Sequence, residues 1–469
     1  MLFNSGIFLQ FFAAFLLLYW LVRNNLLARN LLIVASSYLF YGWWNFWFLG
    51  LLVFSSLFDF CIGIALEKTD LAHRRKTLLA GSIAINLCIL GFFKYFNFFA
   101  DSFSVVMAKL GFQVHPVELR VILPIGISFY TFQSMGYAID VYRREIRSTR
   151  DLVGFLAFVS FFPQLVAGPI QRARQLLPQF HEPRRITRTM IEEGIWLSLW
   201  GMFKKVALAD NLAPLSDMVF QNPLNGGPMV VLGTIAFGFQ IYYDFSGYSD
   251  IARGVARLLG FEVMQNFRVP YAAQNPRDFW TRWHISLSTW LRDYLYISLG
   301  GNRRGPLRTH FNLILTMLIG GLWHGAAWNF VLWGVWHGIG LSMHRLLARG
   351  KNKPATGASG FNLFSWLATM LFVFYGWLLF RARSLEQIIT MTKSLAHWEM
   401  PIWIASYLLN LIAFILPVIL VDAWLERAGD GCAPARNPVW TRTALQGAAL
   451  ICIFLFWENV KVPFIYFQF

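Results

Sequence analysis

The stretch Thr316 to Gly340, TMLIGGLWHGAAWNFVLWGVWHGIG, is apolar throughout except for His324, Asn329 and His337. Roughly 20 such residues suffice to cross a bilayer, so this run belongs in hydrocarbon. The rest of the chain has the same character. Its 469 residues are 57% hydrophobic and 17% aromatic, only 14% are charged, and the mean hydropathy is +0.50. A soluble domain carries about 25% charged residues. A chain this long and this poor in charge cannot clothe a water-facing surface; its solvent is lipid. The 20 Trp and 16 Tyr suit aromatic belts at two membrane interfaces.

Working outward from that run, span-length apolar segments fall near residues 6–22, 31–66 (enough for two passes), 77–100, 120–138, 151–169, 191–210, 228–249, 311–347, 363–380, 402–425 and 443–458. The expected fold is an all-α polytopic membrane protein of about 10–12 transmembrane helices, built as one membrane domain over 1–469. Within it, 1–119 are N-terminal spans, 120–345 the core and 346–469 C-terminal spans. No internal repeat is visible, which argues against a duplicated transporter architecture. Gly350 to Gly360 reads as a linker between spans. One further segment breaks the lipid-facing pattern. Asn266 to Gly305 is aromatic-rich yet holds Arg268, Arg277, Asp278, Arg282, His284, Arg292 and Asp293, a density of charge that hydrocarbon does not accept. With Pro270, Pro276 and Gly300-Gly301, it reads as short helices in a vestibule or at an interface.

The net charge of +16 is dispersed in short clusters between apolar segments, such as Arg74, Arg75 and Lys76, or Arg143, Arg144 and Arg147. That is the pattern of cytoplasmic loops beside anionic lipid, not of a nucleic-acid-binding face. No cleavable signal peptide is expected, because a span-length apolar segment precedes the first basic residues, Arg23 and Arg29. The same asymmetry puts the N-terminus outside and the Arg23–Arg29 loop in the cytoplasm. Cys61, Cys88, Cys432 and Cys452 have neither paired nor metal-like spacing. No H-E-x-x-H, P-loop or G-x-S-x-G elbow is present, so no metal is expected.

Ionisable groups inside a span are costly and usually line a cavity or pathway, so for His324 a functional role and a histidine merely satisfied by a neighbouring carbonyl or hydroxyl stand level on position alone. His337 repeats its Trp-His-Gly setting 13 residues later. On a straight helix that is a rotation of about 220°, so the two rings point to nearly opposite faces unless the helix breaks, and His337 is expected to support packing. His284, taken alone, reads as a half-exposed interfacial histidine. Asp244 and Asp250 in YYDFSGYSD are expected to pair with basic residues or to cap a segment starting at Ser246 or Ser249.

Several segments together resemble the membrane-bound O-acyltransferases, in particular their alginate-acetylating branch. They are LPIGISFYTFQSMGYAIDVYR (Leu123 to Arg143), FFPQLVAGPIQR (Phe161 to Arg172), YYDFSGYSDIARG (Tyr242 to Gly254), FWTRWHISLSTWLRDYLYISLGGNRRG (Phe279 to Gly305) and GGLWHGAAWNFVLWGVWHG (Gly320 to Gly338), with VPFIYFQF at the end. The resemblance implies helices ringing a thin centre pierced by a tunnel, with an acyl thioester entering from the cytosol and an acceptor from the other side. It implies that His324, not His337, is the essential histidine and that His284 is its companion. The donor it implies is acetyl-CoA, and the acceptor is a hydroxyl of an exported polysaccharide. A periplasmic acetyltransferase of the SGNH type is the implied partner, in a bacterial inner membrane.

Chemistry fits that expectation. A hydroxyl becomes a competent nucleophile when a positioned base takes its proton, and neutral imidazole does this near pH 7. A second histidine orients the first or polarises the thioester carbonyl. Arg282 and Arg292 are expected either to meet donor phosphates or, preferably, to hold Asp278 and Asp293. Trp283, Trp290, Trp323, Asn329, Asp244 and Asp293 are further candidates for the tunnel. Rival readings are the same fold acting on peptidoglycan or cellulose, a carrier-protein-dependent transferase of the D-alanyl type, and a glycan or proton transporter.

Overall fold

The computed structural model describes residues 1–112, 119, 122–166, 168–222, 226–348, 361–457 and 463–465. Among the described residues every regular element is helical and there is no strand, as expected where lipid cannot satisfy an open backbone. Four helical stretches are long and apolar enough to cross a membrane: Trp47–Glu67, Ala72–Lys109, Leu363–Arg381 and Ile404–Ala428. Gly6–Val22, Leu26–Gly42 and Val439–Leu455 are shorter apolar helices. The chain is an all-α polytopic membrane protein. The Gly350–Gly360 linker lies outside the described residues.

The chain divides into two compact units. The first comprises Met1–Met190 and Val255–Met264. Several of its buried polar groups are satisfied internally, as the cost of an unpaired one in hydrocarbon requires. Arg29 donates to the carbonyls of Glu182 (2.9 Å) and Phe180 (3.3 Å), and Arg75 to those of Val141 (3.1 Å) and Tyr142 (2.8 Å). Asp59 accepts from Ser82 Oγ at 2.7 Å and Asn86 Nδ2 at 2.9 Å. One expectation needs correcting here. The apolar run 151–169 is not a single pass: the helix Leu152–Ser160 stops ahead of Pro163, and only the turn Phe162–Leu165 follows. Proline removes an amide donor and clashes with the preceding turn.

The second unit comprises Ile191–Gly254 and Gln265–Phe469. The long helix Gly227–Leu258, most of which belongs to this unit, is continuous, so Ser246 and Ser249 start no new segment, contrary to the capping expectation. The charged segment does form short helices, with a 3-10 turn Pro270–Ala272, the helices Pro276–Arg282 and Ile285–Trp290, and a π-helical turn Leu291–Tyr296. The run 311–347 is not one helix. Pro306–His324 ends at His324, Gly325 to Ala327 are extended or bent, and Trp328–Leu347 returns. The two arms form a helical hairpin, tied near its base by His310 Nδ1 and Ser342 Oγ at 2.5 Å. They pack backbone to backbone. A Cβ on Gly321 would meet the Phe330 carbonyl, one on Gly334 the Met317 carbonyl, and one on Gly338 the Ile314 Cα at 2.7 Å. Small residues make this close approach possible inside a membrane.

Candidate functional site

His324 is the last residue of the first hairpin arm, so the helix break places its side chain at the hairpin tip. The ring is 4% exposed. It sits edge-on among Trp323 (centroid distance 5.1 Å), Trp333 (5.0 Å) and Phe380 (5.4 Å). Asn329, in the first turn of the returning arm, donates from Nδ2 to the carbonyls of Phe380 (3.1 Å) and Ala382 (2.9 Å). It thereby satisfies carbonyls at the end of the Leu363–Arg381 helix, which has no internal donors left for them, and fixes Phe380 against the histidine.

His284 arrives from the broken charged segment and is fully buried. Its backbone is left-handed, φ 41°. Histidine enters that region more readily than most residues, but at a cost of order 1–3 kcal/mol that the surroundings must offset. Hydrogen bonds on both sides do so. Arg268 N–H donates to the Arg282 carbonyl at 2.9 Å, and Ile285 N–H to the Asn266 carbonyl at 2.9 Å. Asn266 is itself held by Ser286 Oγ, which donates to its Oδ1 at 2.6 Å, and by its own Nδ2 bond to Ser249 Oγ at 3.1 Å. Phe245 closes on the imidazole edge at 4.6 Å, and Trp323 lies 5.7 Å away.

The two imidazoles are 6.4 Å apart between centroids, inclined at 62°. Ring nitrogens lie little more than an ångström from each centroid, so this separation exceeds a direct hydrogen bond. It suits two groups acting on one reacting centre between them. Their walls are aromatic, and a water-excluding wall strengthens every polar interaction inside it.

The other predicted residues divide between the site and its supports. Trp323 touches both histidines. Trp283 is buried one position before His284, packed on Trp377 at 4.7 Å and Phe267 at 5.0 Å. Arg282 pairs with Asp278 and with Glu426, both at 2.8 Å, and Arg292 pairs with Asp293 at 2.7 Å. Trp290 packs on Tyr294 at 5.1 Å. Asp244 is bound to Lys205 at 2.8 Å and accepts the Ile465 N–H at 2.7 Å. Lys205 also reaches Asp210 at 2.7 Å. Asp244 therefore clamps the helix that carries Phe245, the side chain against His284.

His337 does not join His324, but not for the reason that helical rotation supplied. The helix breaks between them, and Trp333 lies between the rings, 5.0 Å from His324 and 4.9 Å from His337. His337 is fully buried among Trp280 (5.1 Å) and Phe372 (5.3 Å), and a Cβ at Gly376 would come within 2.9 Å of its Nε2. His337→Ala is expected to lower the melting temperature, by the few kcal/mol typical of a large buried ring, while activity per folded molecule changes little. His337→Phe, closer in volume, should recover most of that stability. Thermal unfolding and specific activity on the same preparations check both statements.

Lys205, Asn266, Phe245 and Phe380 were not singled out from the sequence. Lys205 carried a signal, a lysine inside the apolar run 191–210, where a charge demands a partner. Phe245 and Phe380 carried none in a chain with 46 Phe. Among the described residues no group of His, Cys, Asp and Glu could hold a metal ion.

The membrane-bound O-acyltransferase family profile matches residues 141–387. The chain belongs to this family and is an acyltransferase. It is 40% identical over 503 residues to "Probable alginate O-acetylase AlgI" of Pseudomonas putida, across 100% of both chains. It is 46% identical over 393 residues to the protein of the same name from Azotobacter vinelandii, covering 82% of this chain and 76% of that one. A peptidoglycan O-acetyltransferase of Helicobacter pylori is 36% identical over 427 residues, covering 84% of this chain and 80% of that one.

Proposed function

We propose that the chain takes an acetyl group from acetyl-CoA on the cytosolic side of a bacterial inner membrane and passes it toward a hydroxyl of an exported polysaccharide, alginate in the first instance. The observation that carries this reading is the pair His324 and His284, 6.4 Å apart behind aromatic walls, in a chain similar over its full length to an alginate O-acetylase. In this reading a ring nitrogen of His324 takes the proton of the acceptor hydroxyl as its oxygen attacks the thioester carbonyl carbon. His284 N–H meets the oxygen on which negative charge develops. The carbon–sulfur bond then breaks, the new ester keeps the acetyl group, and the imidazolium proton goes to the departing thiolate. The first acceptor is either the glycan or a periplasmic SGNH-type acetyltransferase that completes the transfer. The N-terminus is on the periplasmic side in this arrangement.

The likeness to the peptidoglycan enzyme favours a second acceptor, the cell-wall glycan. Deleting the gene and complementing it with this chain distinguishes the readings. Loss and recovery of O-acetyl groups on alginate, read by NMR, is the expected result. The same pattern on peptidoglycan alone would move the assignment to the second acceptor. Unchanged acetylation of every envelope polymer, with a solute transport defect, would replace the enzyme by a transporter. His284→Ala is expected to cost about 10²–10³-fold in rate, as removal of one donor to a developing oxyanion does, with expression unchanged. A wild-type rate in that variant would remove His284 from the chemistry.

A further inference from the structure

The base of the catalytic hairpin, the end away from His324, carries five exposed arginines: Arg303, Arg304 and Arg308 at the start of the first arm, Arg345 at the end of the second, and Arg277 beside them. Their proximity follows from the fold. The His310–Ser342 contact joins the two arms two residues past Arg308 and three before Arg345. Arg345 lies within electrostatic range of Tyr296, Arg277 within range of His344, and Arg304 folds over Gly300 in the loop that follows Tyr296. None of the five has an acidic partner among the described residues, whereas Arg282, Arg292 and Arg381 each do. Around the guanidinium groups stand exposed apolar side chains, Leu307 (86% exposed), Leu347 (79%) and Phe311 (51%). Arginine interleaved with exposed leucine and phenylalanine matches the boundary of a bilayer, with hydrocarbon on one side and phosphate on the other.

We propose that this base is a binding site for the phosphodiester headgroup of an anionic phospholipid, which anchors the hairpin at the membrane surface and so holds His324 at its depth. Guanidinium groups suit phosphate oxygens because they donate in a planar fork, and five unneutralised cations on one small surface call for an anionic ligand. Coenzyme A phosphates share that chemistry, but the flanking apolar residues favour a ligand that also presents acyl chains.

The full chain, reconstituted in nanodiscs of phosphatidylcholine with or without phosphatidylglycerol, tests the site by native mass spectrometry of retained lipid. Wild type should retain phosphatidylglycerol selectively. Arg308→Gln/Arg345→Gln should weaken that preference about 30-fold, the sum of two surface basic contacts, and Arg308→Lys/Arg345→Lys should keep most of it. If the hairpin variant fails to fold, Arg303→Gln/Arg304→Gln in the exposed loop serves instead. The control Arg74→Gln/Lys76→Gln, in the other compact unit, should leave the preference unchanged. Equal loss in the control would reduce the effect to bulk charge and overturn the proposal. Unaltered lipid retention with a raised KM for acetyl-CoA in the hairpin variant would overturn it in favour of donor phosphates.

Discussion

Replacing His324 with alanine is expected to lower the acetyl-transfer rate by about 10²–10⁴-fold, the range for removing a positioned general base, while the protein still inserts and folds. The size follows from the site. His324 is the last residue of the Pro306–His324 helix, so truncating its side chain leaves the backbone ladder of that helix unchanged. Trp323, Trp333 and Phe380 pack on one another's neighbours independently of it; Trp333 and Phe380, for instance, are in contact at 5.3 Å. Truncation to alanine costs packing here as it does at His337, so the loss of chemistry is the part read per folded molecule. Initial rates of acetyl transfer in membranes, normalised to inserted protein, measure the effect. His324→Gln, which keeps a polar group but no base of suitable pKa, should be equally slow.

The second large effect is on stability. Lys205→Met leaves the buried carboxylates of Asp244 and Asp210 without their shared cation, and breaking a buried pair on one side typically costs 3–5 kcal/mol. Such a loss is a large part of the stability of an ordinary domain. The expected result is a steep fall in the melting temperature and in the yield of monodisperse protein after detergent extraction. Adding Asp244→Asn should return part of it, since one uncompensated charge is then removed. Full stability in Lys205→Met alone would show that the ion pair contributes little to holding Phe245 and the Ile465 amide.

The membrane class was legible because composition determines the solvent: with 14% charged residues only lipid will do. Individual spans were legible where apolar length is the signal, and Gly6–Val22 coincides with the expected segment. The turn at Gly325 to Ala327 was not. Glycine and alanine are ordinary in membrane helices, so neither announces a break, and only packing against the returning arm produces one. That hidden break displaced the argument about His337: rotation round a continuous helix does not apply across two helices, and Trp333 is what separates the rings. The left-handed backbone of His284 was equally hidden, because histidine, though more tolerant of that region than most residues, adopts it too seldom to announce it. It depends on the paired bonds from Arg268 and Ile285, contacts between chain segments that spacing does not encode. Asp244 shows the opposite case. A pairing partner was expected for it on physical grounds, and Lys205 was in plain view in the apolar run 191–210.

The most direct test is acetyl transfer by the purified full-length protein from radiolabelled acetyl-CoA to alginate, with and without a periplasmic acetyltransferase, comparing wild type with His324→Ala. The account predicts label on the polymer or on the partner protein with wild type, and about 10²–10⁴-fold less with the variant. Transfer at the wild-type rate by His324→Ala, folded and monodisperse, would contradict it.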